Sequence, residues 1–373
     1  MKFFGGRKFT DKDKIDWLRL ARTETIGPIT FHRLIAKYKT ATNALDALPH
    51  FARSKPIHIP SIADATAEIE KTIKAKGKII AAYEDIYPLS LAAIEDAPPV
   101  ITAFGNTDFL NRPSVGIVGS RNASLNGRKF AFKLAQDLGI ENYIVASGLA
   151  RGIDTAAHEG SLQSGTIAVL AGGANVVYPK ENQKIYDEIC NLGVVISECA
   201  YGTQPIAQHF PKRNRIITGL SLGTVIVEAN PKSGSLISAR TAAEQGRDVF
   251  AVPGFPMDPR SAGTNALIKD GAILVRGIED VLEHLNSFAA SRIVNQKYQL
   301  PGLDEEGEVF DFEDKNIKTE IMSLLTTSPT AVDEIIRACQ LRSSLVQGCL
   351  LEMELSGEVQ RLPGNRVSLI KAA

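Results

Sequence analysis

No apolar run in the 373 residues is long enough to cross a membrane. The opening Met1-Lys2-Phe3-Phe4-Gly5-Gly6-Arg7-Lys8 is basic but lacks the apolar core of a secretory signal. The four cysteines (Cys190, Cys199, Cys339 and Cys349) form no CxxC pair and have no histidine at zinc spacing. They read as reduced structural thiols, and a cytoplasmic protein without metal or cofactor is expected. Charge of one sign is also missing: 42 basic residues balance 42 acidic ones. That excludes a chain coated in positive charge, so any grip on nucleic acid must come from a local patch. Neither G-x-G-x-x-G nor the P-loop pattern follows the first strand candidate. No carboxylate cluster at metal spacing and no His-Cys-Asp constellation stands out, so no catalytic residues are expected.

With 44% hydrophobic and 23% charged residues, the chain reads as globular, and its length suits two or three domains. Residues 10–82 carry Ile15, Leu18, Leu20, Leu34, Ile35 and Leu45 at helical spacing, broken by Gly27-Pro28. This is expected to be a helical domain of the SAM-like or helix-hairpin-helix kind. Its simplest role is packing, because a single hairpin has no rich basic flank. Residues 83–286 alternate short β-rich runs with helical segments. The strand candidates are Val115–Val118, Tyr143–Ala146, Ile167–Leu170, Val194–Ser197, Thr224–Val227, Val249–Val252 and Ile273–Val275. Between them lie helix candidates Gly127–Leu138, Ile153–Leu162, Gln183–Asn191 and Leu236–Glu244. Alternation of this kind predicts an α/β fold, a doubly wound and mostly parallel Rossmann-like sheet covered on both faces. A linker over 287–315 contains the acidic run Asp304, Glu305, Glu306, Glu308, Asp311, Glu313 and Asp314, which reads as solvated chain. Residues 316–373 give three helices, then strands about a Pro363-Gly364-Asn365 turn, the winged-helix order. Its third helix runs from Arg342 into Glu352 and Glu354, poor in the cations a groove reader needs.

In a doubly wound sheet, ligands sit beyond the carboxyl ends of the strands. The loops there contain Gly119-Ser120-Arg121, Ser147-Gly148-Leu149-Ala150-Arg151-Gly152, Gly172-Gly173 leading to Tyr178-Pro179-Lys180, Glu198, Glu228 and Ser233-Gly234-Ser235. One glycine-rich loop means only a tight turn. Several on one rim, with Arg121, Arg151 and Lys180 among them, describe a phosphate-binding edge. Asp154 and His158 lie one helical turn apart; a structural role is expected over acid/base work, and His209 is expected to pack.

The segments Val115-Gly116-Ile117-Val118-Gly119-Ser120-Arg121, Ser147 to Asp154 and Tyr178-Pro179-Lys180-Glu181-Asn182 resemble the DprA/Smf family of DNA-processing proteins. So do Phe210-Pro211-Lys212-Arg213-Asn214-Arg215, Ser233-Gly234-Ser235-Leu236 and Gly246 to Gly254. The resemblance covers about residues 100–285 in order and extends to both flanking pieces. It implies an extended Rossmann domain that dimerises, single-stranded DNA as ligand, the recombinase RecA as partner, and a role in transformation or recombination. Carried over residue by residue, it implies DNA contacts at Arg121, Lys180, Lys212, Arg213, Asn214 and Arg215. Gly119, Ser120, Gly148, Arg151, Ser233, Gly234 and Ser235 complete the expected rim. A rival reading is a nucleotide-processing enzyme, with Arg215 and Glu228 as its working pair and Ser233-Gly234-Ser235 on phosphate. The P-G-G-x-G-T-x-x-E pattern of phosphoribohydrolases is replaced here by Gly223-Thr224-Val225-Ile226-Val227-Glu228. Ion pairing of Glu198 or Glu228 with Arg213 or Arg215 is the simpler expectation.

Overall fold

The computed structural model describes residues 9–51, 57–292, 315–341, 343–362 and 365–370; the acidic run, Arg342 and Pro363-Gly364 lie outside the described residues. The chain opens with α1 (Asp11–Ala21), α2 (Pro28–Tyr38), α3 (Ala41–Phe51) and α4 (Ile62–Lys74). Pro28 sits at the start of α2, where its missing N–H costs no helical bond. Ser61 and Asp64 close a reciprocal capping box at α4. There follow β1 (Gly77–Ala81), α5 (Leu89–Ala92), β2 (Val100–Gly105), β3 (Ser114–Val118), α6 (Leu125–Ile140), β4 (Ile144–Ser147) and α7 (Ile153–Ser161). Next come β5 (Thr166–Val169), α8 (Gln183–Leu192), β6 (Val194–Ser197), α9 (His209–Leu220), β7 (Gly223–Ile226), α10 (Gly234–Glu244), β8 (Asp248–Ala251), α11 (Ala262–Lys269), β9 (Ile273–Leu274) and α12 (Ile278–Arg292). Contacts gather the described parts of 1–18 and 61–301 into one compact unit and those of 19–60 and 302–373 into another.

The first unit is built on a nine-stranded sheet in the order β1-β2-β6-β5-β4-β3-β7-β8-β9. Strands β3 to β7 are buried along their whole length, as parallel strands covered on both faces must be. On one face Ile216, Ile217 and Leu220 of α9 pack with Ile144, Ile167 and Ile196. On the other, Leu134 and Leu138 of α6 and Ile153 of α7 pack with Val115, Ile117 and Val225. Each such side chain contributes about 1.5–3 kcal/mol on burial. Two strands depart from the sequence expectation. β1 falls inside the segment assigned to helices, and β2 pairs antiparallel with both β1 and β6, so the sheet is mixed. The remaining ladders from β3 outward are parallel.

Strand order turns about β3. The chain runs from β3 through β4 and β5 to β6 on one side, then returns to lay β7 on the other. The crevice beyond the carboxyl ends of β3 and β7 is therefore the topological switch point, where doubly wound sheets hold their ligands.

The second unit contains α2 and α3 together with α13 (Lys315–Leu324), β10 (Thr330–Ala331), α14 (Val332–Cys339), α15 (Ser343–Leu355), β11 (Val359–Leu362) and β12 (Arg366–Leu369). A three-stranded antiparallel sheet forms in the order β10-β12-β11; β10 adds a strand that two residues cannot announce in sequence. Ile321, Ile335, Leu350, Met353, Val359 and Val367 fill its core. Glu354 of α15 accepts a 3.0 Å hydrogen bond from the Thr30 hydroxyl of α2. One of the acids that makes α15 unlike a groove reader is thus engaged within this unit.

Candidate nucleic-acid interface

Two loops meet at the switch point and are tied together. After β3, Ser124 caps α6, its hydroxyl accepting from Gly127 N at 2.9 Å. Glu228, just past β7, accepts from Ser124 N at 2.9 Å and from its hydroxyl at 2.5 Å. The loop after β4 is held as firmly. Gly152 has φ +77°, and a side chain there would strike the carbonyls of Ser120 and Arg121, so glycine is required. Ile153 N donates to Ser120 O. A buried carboxylate, Asp154 Oδ2, accepts from Gly148 N at 3.2 Å and Ala150 N at 3.4 Å. Burial raises the Asp154 pKa, opposed chiefly by Arg213.

Arg213 and Arg215 correct the expectation that the whole Phe210-to-Arg215 segment lies on the rim. The segment forms the first turns of α9, and helical period turns 213, 216, 217 and 220 toward the sheet. Arg213 is 5% exposed, and its Nη1 donates to the carbonyls of Gly148 and Val169. Burial lowers its pKa to about 10, with Asp154 acting the other way, so it stays charged at neutral pH. Arg215, 8% exposed, donates to Glu198 Oε2 and the Asp96 carbonyl. These guanidiniums are spent on the protein's own carbonyls and carboxylates, which is why they are inside. The expected ion pairing of Glu198 with Arg215 is present, whereas Glu228 bonds to Ser124. The pair proposed for an enzyme is therefore not assembled.

The cations that do face outward are Arg121, Arg151, Lys180 and Lys212. Lys180 and Lys212 have no ion-pair partner among the described residues. Arg151 pairs with Glu181, both sides more than half exposed, an arrangement worth little and readily exchanged. The Arg121 guanidinium lies 4.9 Å from the Phe210 ring centroid, and Phe210 meets Tyr178 edge-on at 5.8 Å. Lys180 begins a short 3-10 turn directly after the cis Tyr178-Pro179 bond. Sequence alone places exposed Tyr178 and half-buried Phe210 on separate loops; the fold brings their rings together beside Arg121. Between Tyr178, Phe210, Gly148 and Arg213 is a space of about 10 Å³, room for a single water and not for a base.

The small residues close the rim. Gly119 is pressed against Ile153, and Ser120 Oγ accepts from Asn122 N at 3.2 Å. Ser233 caps α10, its hydroxyl 2.7 Å from that of buried Ser235, while Gly234 is exposed with open space beside it. Asn214 Nδ2 reaches Gly234 O at 3.4 Å, holding this loop to α9.

His158 is wholly buried and does not pair with Asp154. Thr166 Oγ1 donates to Val145 O, so His158 Nδ1 donates to Thr166 at 2.8 Å. Burial, with Arg213 second, lowers its pKa from 6.5 to about 3. The histidine is neutral in the fold, whereas the unfolded chain takes up a proton near about pH 6.5. Stability from this group is complete above that pH and is lost as pH falls toward about 3. Near pH 4.5 the loss should be on the order of 2–3 kcal/mol. Urea unfolding at pH 7 and 4.5 will show a larger drop for the native chain than for His158→Gln. Equal drops would contradict a neutral buried imidazole.

The Rossmann-like sheet thus carries small-residue loops, outward cations and a pair of aromatic rings along the rim beyond the carboxyl ends of its parallel strands, where proteins of this α/β class hold their ligands. The chain belongs to the DNA recombination-mediator protein A family, whose model matches residues 78–286. Models for a DprA-like N-terminal HHH domain and a DprA winged helix domain match 11–70 and 313–365. The DNA processing protein DprA of Streptococcus pneumoniae is 49% identical over 202 residues, 53% of this chain and 71% of that protein. The X-ray structure of that species' protein superposes with a TM-score of 0.62 at 35% identity, covering 74% of this chain and 98% of that one. A DNA processing protein A structure from Helicobacter pylori, described for its single-stranded DNA binding mode, gives 0.52 at 29% identity over 57% of this chain and 96% of that one. Among the described residues no helix is long and apolar enough to cross a membrane.

Proposed function

We propose that this chain binds single-stranded DNA along the rim at its switch point and delivers it to RecA during transformation or recombination. The observation that carries the reading is the cluster of the Arg121 guanidinium with the Phe210 and Tyr178 rings, beside exposed Lys180, which has no ion-pair partner among the described residues. Phosphates would take Arg121, Lys180 and Lys212, exposed bases would stack on the rings, and Gly119, Ser120, Ser233 and Gly234 would let the strand approach the backbone. Gly148 is buried against the Arg213 guanidinium and Ser235 is buried in the cap of α10, so both support the rim from beneath. Bases inside a duplex offer no such faces. The H. pylori relative described for single-stranded DNA binding supports the same ligand.

A homodimer through the Rossmann-like domain completes the proposal. Support comes from β9 at the sheet edge, and from Phe255 and Met257 in the loop after the adjoining strand β8, which are 70% and 80% exposed. No catalytic step is assigned, since Glu228 and Arg215 are each engaged elsewhere. The described cysteines are free thiols, which suits work in the cytoplasm. The test is a binding titration of single-stranded and duplex DNA of equal length with salt varied, together with a nucleotide hydrolysis assay. The single strand should bind more tightly, with log affinity falling against log salt, and without turnover. Preference for duplex, or hydrolysis lost in Glu228→Gln, would overturn the proposal.

A further inference from the structure

We infer that the groove between α6 and α7 is a second contact for the same single strand, continuing its path away from the rim. The inference rests on the single-strand reading above. Leu125, Arg128, Lys129 and Phe132 recur at helical spacing along one face of α6, and Thr155 and Glu159 do so along α7. These stripes face each other across an open groove of about 490 Å³, within the range of roughly 300–1,000 Å³ that ligand clefts occupy. Leu125 and Phe132 are 59% and 39% exposed, although the apolar side chains deeper in α6 are buried. Arg128 and Lys129 are exposed and have no ion-pair partner among the described residues. Glu159 is the acidic group among the lining residues.

The groove adjoins the rim through the backbone. Gly148 borders the small space under Tyr178 and Phe210, and Gly152, in the same loop, lines the groove. Gly152 in turn lies against the carbonyls of Ser120 and Arg121. Arg151 lines the groove as well, so a strand leaving Arg121 and Lys180 over this loop meets Arg151, then Arg128 and Lys129. The chemistry alternates in the same way as on the rim, cations for phosphates and an exposed ring for a base. The groove also has the volume for bases that the space below Phe210 lacks. An acidic peptide would use the cations but would leave the Phe132 ring without a stacking partner.

The test compares oligothymidylates of about 6 and about 16 nucleotides, both within known single-strand site sizes, by fluorescence anisotropy on the full chain. Arg128→Ala with Lys129→Ala should flatten the salt slope for the longer strand by about 1.4 and leave the shorter one unchanged. Phe132→Ala should weaken the longer strand roughly ten-fold, and Phe132→Tyr should restore it. Thermal melting checks that these surface variants are folded. If both lengths bind the groove variants as they bind the native chain while Arg121→Ala weakens both, the groove inference fails and the rim stands. If the groove variants weaken both lengths equally, the groove is not a continuation, and the inference fails again. If Arg121→Ala also changes nothing, the single-strand reading itself is wrong. Retained DNA binding with lost affinity for an acidic peptide would assign the groove to a protein partner and overturn the inference.

Discussion

Replacing Arg121 and Lys180 together with alanine should weaken single-strand binding by about thirty-fold to several hundred-fold while leaving the fold intact. Both side chains are exposed, and neither supports the core. Arg121 contributes a charge and a planar surface, and stacking alone is worth about 1–3 kcal/mol per base. Lys180 acts as a point charge of about 1 kcal/mol or more. A combined loss of about 2–4 kcal/mol gives the stated range. Two neutralised phosphate contacts should flatten the salt slope by about 1.4. Phe210→Ala separates the contributions, because removing the ring should lower affinity with little change in slope. Titrations at several salt concentrations, with melting curves on the same samples, measure all of this. An unaltered slope in the double variant would place the DNA elsewhere.

Arg213→Ala should behave in the opposite way, costing about 3–5 kcal/mol of stability. The substitution strips donors from the carbonyls of Gly148 and Val169 and leaves Asp154 buried without its nearby cation. Arg213→Lys keeps the charge but lacks the guanidinium's several donors, and should recover only part of the loss. Urea unfolding reads the stability, and binding by the folded fraction should keep the native salt slope. A stable Arg213→Ala variant with a flattened slope would put this residue back on the rim.

The contrast between these arginines marks where sequence reading succeeds and where it stops. Short β-branched runs such as Val194–Ser197 are legible because a strand buried on both faces must be apolar throughout. β1 is hard to see in sequence because Gly77–Ala81 follows directly on the helical pattern of α4, and β2 because an antiparallel addition breaks the βα alternation. α9 is hard to read in sequence because Pro211 sits in its first turn, where proline is tolerated but a breaker is the usual signal. Once that helix is drawn, the spacing of Arg213 with Ile216, Ile217 and Leu220 points inward. The loops of the rim were visible as glycine- and serine-rich βα turns. The meeting of Tyr178 with Phe210 was not, since only the crossing of distant loops brings the rings together.

The bond from Glu228 to Ser124 has a kinetic consequence. It joins the loops on either side of the switch point before any ligand arrives, so docking a strand requires no prior closure of the protein there. On the proposed reading, the slow step of capture would then be diffusional encounter, guided by the field of the exposed lysines and arginines. Added salt should accordingly act on the association rate, while the lifetime of the complex is set by ring contacts that ions screen only weakly. If the rim holds single strands as proposed, such a protein would seize them quickly when counterions are few and let go at a pace fixed by its aromatic residues.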